Sequence, residues 1–205
     1  MQTPWFIGGI VLLEILFGLA PKADRMTWAL ENFPVWLGII ALLFTYKKFP
    51  LSKLCLSLLF FHALILMLGG YYTYAKVPLG DWTKNIFGLS RNHYDRVGHF
   101  AQGFVPAILI RELLVRHARI IHKFWLPFLA GSVAMAFSAF YELFEWWTAV
   151  LTGETAQDFL GTQGDVWDTQ WDMFCALLGA ITALSVLSRW HDLSMKKIFL
   201  ANQPA

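Results

Sequence analysis

Seven carboxylates fall between Glu142 and Asp172 with no lysine or arginine among them: Glu142, Glu145, Glu154, Asp158, Asp165, Asp168 and Asp172. Upstream, Asp95, His99 and Gln102 stand at i, i+4 and i+7, spacings that share one face of a helix. Glu142 and Glu145 repeat that geometry at i and i+3, and Asp165, Asp168 and Asp172 at i, i+3 and i+7. An imidazole with several carboxylates is the mixed nitrogen and oxygen set that zinc, manganese or iron takes. A divalent cation would offset the repulsion among the acids and lower the pKa of a bound water enough to make a nucleophile. The expected metal ligands are therefore His99, Glu142, Glu145, Asp165, Asp168 and Asp172. Asp95, His99, Glu145 and Asp168 are the expected catalytic acid and base groups. Arg96, Gln102, Trp146, Trp167 and Gln170 are expected to bind ligand, with Arg96 balancing an anionic substrate.

The composition says what must position these groups. Of the 205 residues, 57% are hydrophobic and 15% charged, against about 25% charged in ordinary soluble domains. An aromatic content of 17% argues against disorder. A net charge of +2, with no basic stripe, gives no reason to expect a nucleic-acid partner. Cys55 and Cys175 both lie in apolar runs and read as small packed hydrophobes.

Apolar runs near 20 residues long predict membrane-spanning helices. They cover about Pro4 to Ala20, Trp28 to Tyr46, Leu51 to Tyr74, Asp95 to Leu114, Phe124 to Val150 and Asp168 to Leu187. The expected fold is thus all-α: one polytopic domain, residues 1–205, of about six transmembrane helices. With the N-terminus inside, ten of the sixteen basic residues fall on the cytoplasmic side, so both termini are expected to be cytoplasmic. Arg111, Arg116, Arg119 and Lys123, with His117 and His122, then read as a cytoplasmic basic loop against anionic lipid heads. In this topology the polar stripes of spans four, five and six share one depth, on the extracytoplasmic side. Glu14 is a lone acid in span one, with two readings open: a member of the network, or paired with a polar neighbour.

The strings His93-Tyr-Asp95-Arg96-Val-Gly98-His99-Phe, Glu142-Leu-Phe-Glu145-Trp146 and Gly161-Thr-Gln163-Gly164-Asp165-Val-Trp167-Asp168-Thr-Gln170-Trp171-Asp172 resemble the YjdF-type family of bacterial inner-membrane proteins. That resemblance covers nearly the whole chain. It implies a multi-pass protein of the inner membrane and supplies no chemistry. The chain is also similar, over shorter patterns, to VanZ-like membrane proteins, through Asp95-Arg96-x-x-His99, Glu154-x-x-Gln157 and Asp168-x-x-x-Asp172. It has Arg96 where that pattern carries lysine and Asp172 where it carries asparagine, so no catalytic role is carried over.

Three functions stay open. A divalent-metal-dependent enzyme acting on a lipid-linked or envelope substrate would use the acids and His99 as ligands and proton carriers. A non-enzymatic membrane protein would use them as a structural or ligand-binding polar network. A small transporter or proton relay would need acids through the full depth of the membrane, whereas the conspicuous ones share one half. Membrane lipids are the expected surroundings in each case.

Overall fold

A computed structural model describes residues 3–152 and 162–201, with side chains as far as residue 198. Glu154, Gln157 and Asp158 lie outside the described residues. Seven α-helices and one 3₁₀ turn account for the described elements, with no strand among them. In chain order they are α1 (Thr3–Leu19), α2 (Arg25–Thr45), α3 (Lys53–Tyr72), a 3₁₀ turn (Tyr74–Lys76), α4 (Pro78–Phe87), α5 (Tyr94–Arg116), α6 (Trp125–Thr152) and α7 (Asp168–Ala201). The polar stretch between the third and fourth apolar runs thus contains a short helix of its own.

Local chemistry sets several boundaries. Asp24 caps α2 by accepting from the backbone N–H groups of Met26 and Thr27, each at 3.0 Å, and Ser52 caps α3 by accepting from Cys55 N–H at 3.3 Å. Pro78 occupies the first turn of α4, and Gly88 closes it in the left-handed region, φ 62°.

The protein turns its apolar surface outward. Leu12, Leu37, Phe140 and Leu151 are exposed, while Glu31, Asn32, Asp95, His99, Glu112, Asp172 and His191 are buried. This inversion suits a lipid surround, where exposed hydrophobic side chains cost nothing and polar groups need partners inside. Four helices are both long and apolar enough to cross a membrane: α2, α3, α6 and α7. At 17 residues α1 falls short by length, and α5, with its polar residues, falls short in mean hydropathy. Nevertheless α5 is the central element, packed at once against α3, α6 and α7. Its charged groups find partners there rather than in lipid. Glu14 of α1 is held by Trp36 of α2, whose indole N–H donates to it at 2.7 Å, which selects the polar-neighbour reading.

The closest approach in the bundle joins α5 to α7. A Cβ built on Gly103 would stand 1.8 Å from the Ala176 carbonyl oxygen, and one on Gly179 would stand 2.1 Å from that of Phe100. Only glycine allows the two backbones to run this near each other. His99 lies one turn before Gly103 and Asp172 one turn before Ala176, so this contact sets the distance between their side chains.

Candidate metal centre and its cavity

At the end of the bundle where α5 and α7 begin, Asp95, His99 and Asp172 come together. All three are buried, and one ligand atom from each lies within 4.8 Å of the other two. The His99 ring spans two carboxylates: Nε2 is 3.5 Å from Asp95 Oδ1, and Nδ1 is 3.6 Å from Glu142 Oε1 of α6. These distances are at or beyond the limit of a good hydrogen bond. His99 Nδ1, Glu142 Oε1 and Asp172 Oδ1 are all buried with no hydrogen-bond partner. Buried polar atoms are ordinarily satisfied, so three unpartnered atoms on neighbouring residues of one cluster call for an explanation. The group is one that could hold a metal ion.

Asp165 and Asp168, expected as further ligands, are engaged elsewhere. Asp168 accepts from Arg91 Nη1 at 2.5 Å, and Asp165 accepts from Arg96 Nη2 at 2.7 Å, with Arg91 Nη1 at 3.4 Å. Arg96 also lies over the Trp171 ring, 5.3 Å from its centroid. Asp165 Oδ1 accepts from the Trp167 backbone N–H at 3.0 Å, fixing the turn that starts α7. That hydrogen bond, followed by the Arg96 and Arg91 guanidinium groups, holds the Asp165 carboxyl below the ordinary carboxylate range. The neighbouring Gln163 has φ 48°, an unusual conformation for a residue with a side chain. Two hydrogen bonds with the Asn92 backbone, Asn92 N–H to Gln163 Oε1 at 3.0 Å and Gln163 Nε2 to Asn92 O at 2.8 Å, keep it there. The acidic motif of residues 163–168 therefore clasps the start of α5 to the start of α7.

Beside the Asp95–His99–Asp172 group lies a cavity of about 320 Å³ between α2, α3, α5 and α6. Glu145 and Gln102 line it, as do Asp95 and His99, which belong to both sites. Glu145 is thus on the cavity wall rather than in the trio. Trp146, Trp167 and Gln170 are exposed and do not line the cavity.

Sequence reasoning missed three contributors. Glu31, on α2, is 3% exposed and reaches the same cavity; its i, i+1 pairing with Asn32 in an otherwise apolar run was the available signal. Arg91 precedes the helix that carries the expected site residues, so helical periodicity did not include it. The third is a second polar network at the opposite end of α5. There Glu112 accepts from the Ser52 backbone N–H at 2.8 Å and from Arg116, and meets His191 Nε2 at 3.0 Å. Arg111 contacts His191 Nδ1 at 3.2 Å and donates to Asp192 at 2.8 Å. This corrects the reading of Arg111 and Arg116 as part of a loop against lipid heads: both are in the last turns of α5, drawn inward by buried acceptors.

Among known proteins, the chain is 49% identical over 191 residues to the inner membrane protein YjdF of Escherichia coli (strain K12), a match covering 93% of this chain and 91% of the relative. No solved structure matches it. Residues 3–193 match the family described as "Predicted membrane protein (DUF2238)". A multi-pass helical membrane protein with an inner-membrane relative of this identity and coverage belongs to that family.

Proposed function

We propose that this protein is an inner-membrane enzyme in which Asp95, His99 and Asp172 hold a divalent cation (zinc, manganese or iron) for reaction on a lipid-linked or envelope substrate. The observation that carries this reading is the meeting of unsatisfied donor atoms. His99 Nδ1 and Glu142 Oε1, 3.6 Å apart, and Asp172 Oδ1 of the same cluster are buried without a hydrogen bond. Arg91 and Arg96 form their ion pairs with Asp165 and Asp168, so among the described residues no lysine or arginine pairs directly with the acids of the trio. A metal supplies that charge and acidifies a bound water. Glu142, 3.6 Å from His99, would serve as the base for such a water, and Glu145 on the cavity wall as the acid that protonates a leaving group. Asp168 acts through Arg91 and is a positioning residue.

The topology belongs to the same proposal. Six crossings, by α1, α2, α3, α5, α6 and α7, with both termini cytoplasmic, are supported by the ten basic residues on that side. The α5 charges are paired within the bundle and do not prevent its crossing. The metal group then faces the periplasm.

Elemental analysis of detergent-purified protein after loading with zinc, manganese or iron(II) tests the reading. About one ion per chain is expected, lost in His99→Ala and Asp172→Asn while both variants still unfold cooperatively. Wild-type protein with no stoichiometric metal overturns it. The Arg91–Asp168 and Arg96–Asp165 pairs favour a second reading, a non-enzymatic network that pins α5 to α7. On that reading Asp172→Asn raises stability by removing a like charge, and added divalent cations change nothing.

A further inference from the structure

We infer that the cavity between α2, α3, α5 and α6 seats an amphiphile whose apolar chain lies inside it and whose headgroup carries an ammonium. The cavity has the size of a ligand site, about 320 Å³. Its length follows α2 from Glu31 to Leu42, eleven residues and roughly 16 Å at helical rise. Leu42, Leu59 and Leu109 line it away from the acids. Phe33 and Phe137, on its rim, remain 40% and 52% exposed on the face turned to lipid. These exposed lining residues put part of the cavity wall at the apolar surface, where an acyl chain can reach it.

The polar end selects the headgroup. Glu31, Asp95 and Glu145 line it, and among the described lining residues none is lysine or arginine. The Glu31 carboxyl is 3% exposed, lines the cavity and makes no hydrogen bond among the described residues, so its oxygens are available to a ligand's donors. An anionic headgroup set among three buried carboxyl groups with no basic residue beside it would itself be buried unpaired, which is costly. An ammonium donates several charge-assisted hydrogen bonds and satisfies Glu31 and Glu145 together. Asp95 belongs to both the cavity and the metal group, so a headgroup held by Glu31 and Glu145 lies next to the proposed cation. The substrate class rests in that respect on the proposed function, while the binding itself does not.

Native mass spectrometry of the detergent-purified full chain compares lysophosphatidylethanolamine with lysophosphatidylglycerol carrying the same acyl chain. Roughly tenfold preference for the ethanolamine lipid is expected, from a charge-assisted hydrogen bond present in one complex only. The Glu31→Gln, Glu145→Gln double variant should bind both lipids without preference. Gly38→Phe should bind neither: Gly38 lines the cavity, and a Cβ there meets nothing within 4 Å, so the ring fills the cavity without forcing its neighbours apart. Equal or tighter binding of the glycerol lipid overturns the inference. So does a preference unchanged in the double variant, or binding unchanged in Gly38→Phe. Elemental analysis of the same samples separates the two proposals. Selective ammonium-lipid binding without metal uptake removes the metal reading and leaves this one, and metal uptake without headgroup preference does the reverse.

Discussion

Replacing Gly103 by alanine should disable the metal group from a full turn away. The new Cβ would stand 1.8 Å from the Ala176 carbonyl oxygen, whereas ordinary contact begins near 3.4 Å, so α7 must retreat by roughly 1.6 Å. The obstacle is backbone, which cannot rotate aside as a side chain would. His99 and Asp172 ride one turn before Gly103 and Ala176, so the same retreat widens a group whose ligand atoms now lie within 4.8 Å. Overpacking of this kind costs about 1–3 kcal/mol of stability. Disturbing the support of a metal ligand typically weakens affinity by about 10–100-fold. With cation at 100 times the wild-type Kd, binding stabilises the folded state by about 2.7 kcal/mol; a hundredfold weaker site retains about 0.4 kcal/mol. The assay is the shift in unfolding temperature on adding zinc, manganese or iron(II) to protein in detergent. Gly38→Ala is the control, since its Cβ meets no atom within 4 Å. Wild type and Gly38→Ala should show the full shift, and Gly103→Ala should lose most of it. A full shift in Gly103→Ala would show that the α5–α7 approach does not set the site.

Two other perturbations test the surrounding architecture. Glu112→Gln removes the shared carboxylate acceptor of Ser52, Arg116 and His191, and breaking a buried pair of this kind costs about 3–5 kcal/mol; denaturant unfolding in detergent reads it, and a loss under about 1 kcal/mol refutes the assignment. Asp165 titrates below its ordinary value of 3.8 in the folded protein, chiefly through the Trp167 N–H and then Arg96 and Arg91. A depressed folded pKa contributes stability that is complete above the unfolded value and disappears as pH falls through the folded one. Acidification from about pH 5 downward should therefore destabilise wild type more steeply than Asp165→Asn, and parallel pH profiles would refute the clasp.

The helices were legible because their signals are local. Runs of apolar residues act within a few turns of chain, whereas α4 lies in a polar stretch that carries no such run. The polar stripes were legible for the same reason: i, i+3 and i+4 spacing places Asp95 beside His99 whatever packs against them. What such spacing leaves open is the rotation of each helix about its axis once it is packed. That rotation turned Asp172 and Glu142 toward His99, turned Asp168 toward Arg91, and left Trp146 and Trp167 on the outer surface. Glu31 escaped notice because one acid in an apolar run makes no pattern until another helix faces it. The Glu112–His191 pair, 79 residues apart, has no local signature at all.

The sequence alone determined that this is a helical membrane protein rich in acids near one end of its later helices, since hydropathy and helical periodicity are properties of short stretches. Only the tertiary structure decided which acids pair directly with an arginine. Arg91 and Arg96 can neutralise only what their reach and the close α5–α7 crossing bring near them, and contacts set by the packing of distant segments are not encoded in any one of those segments.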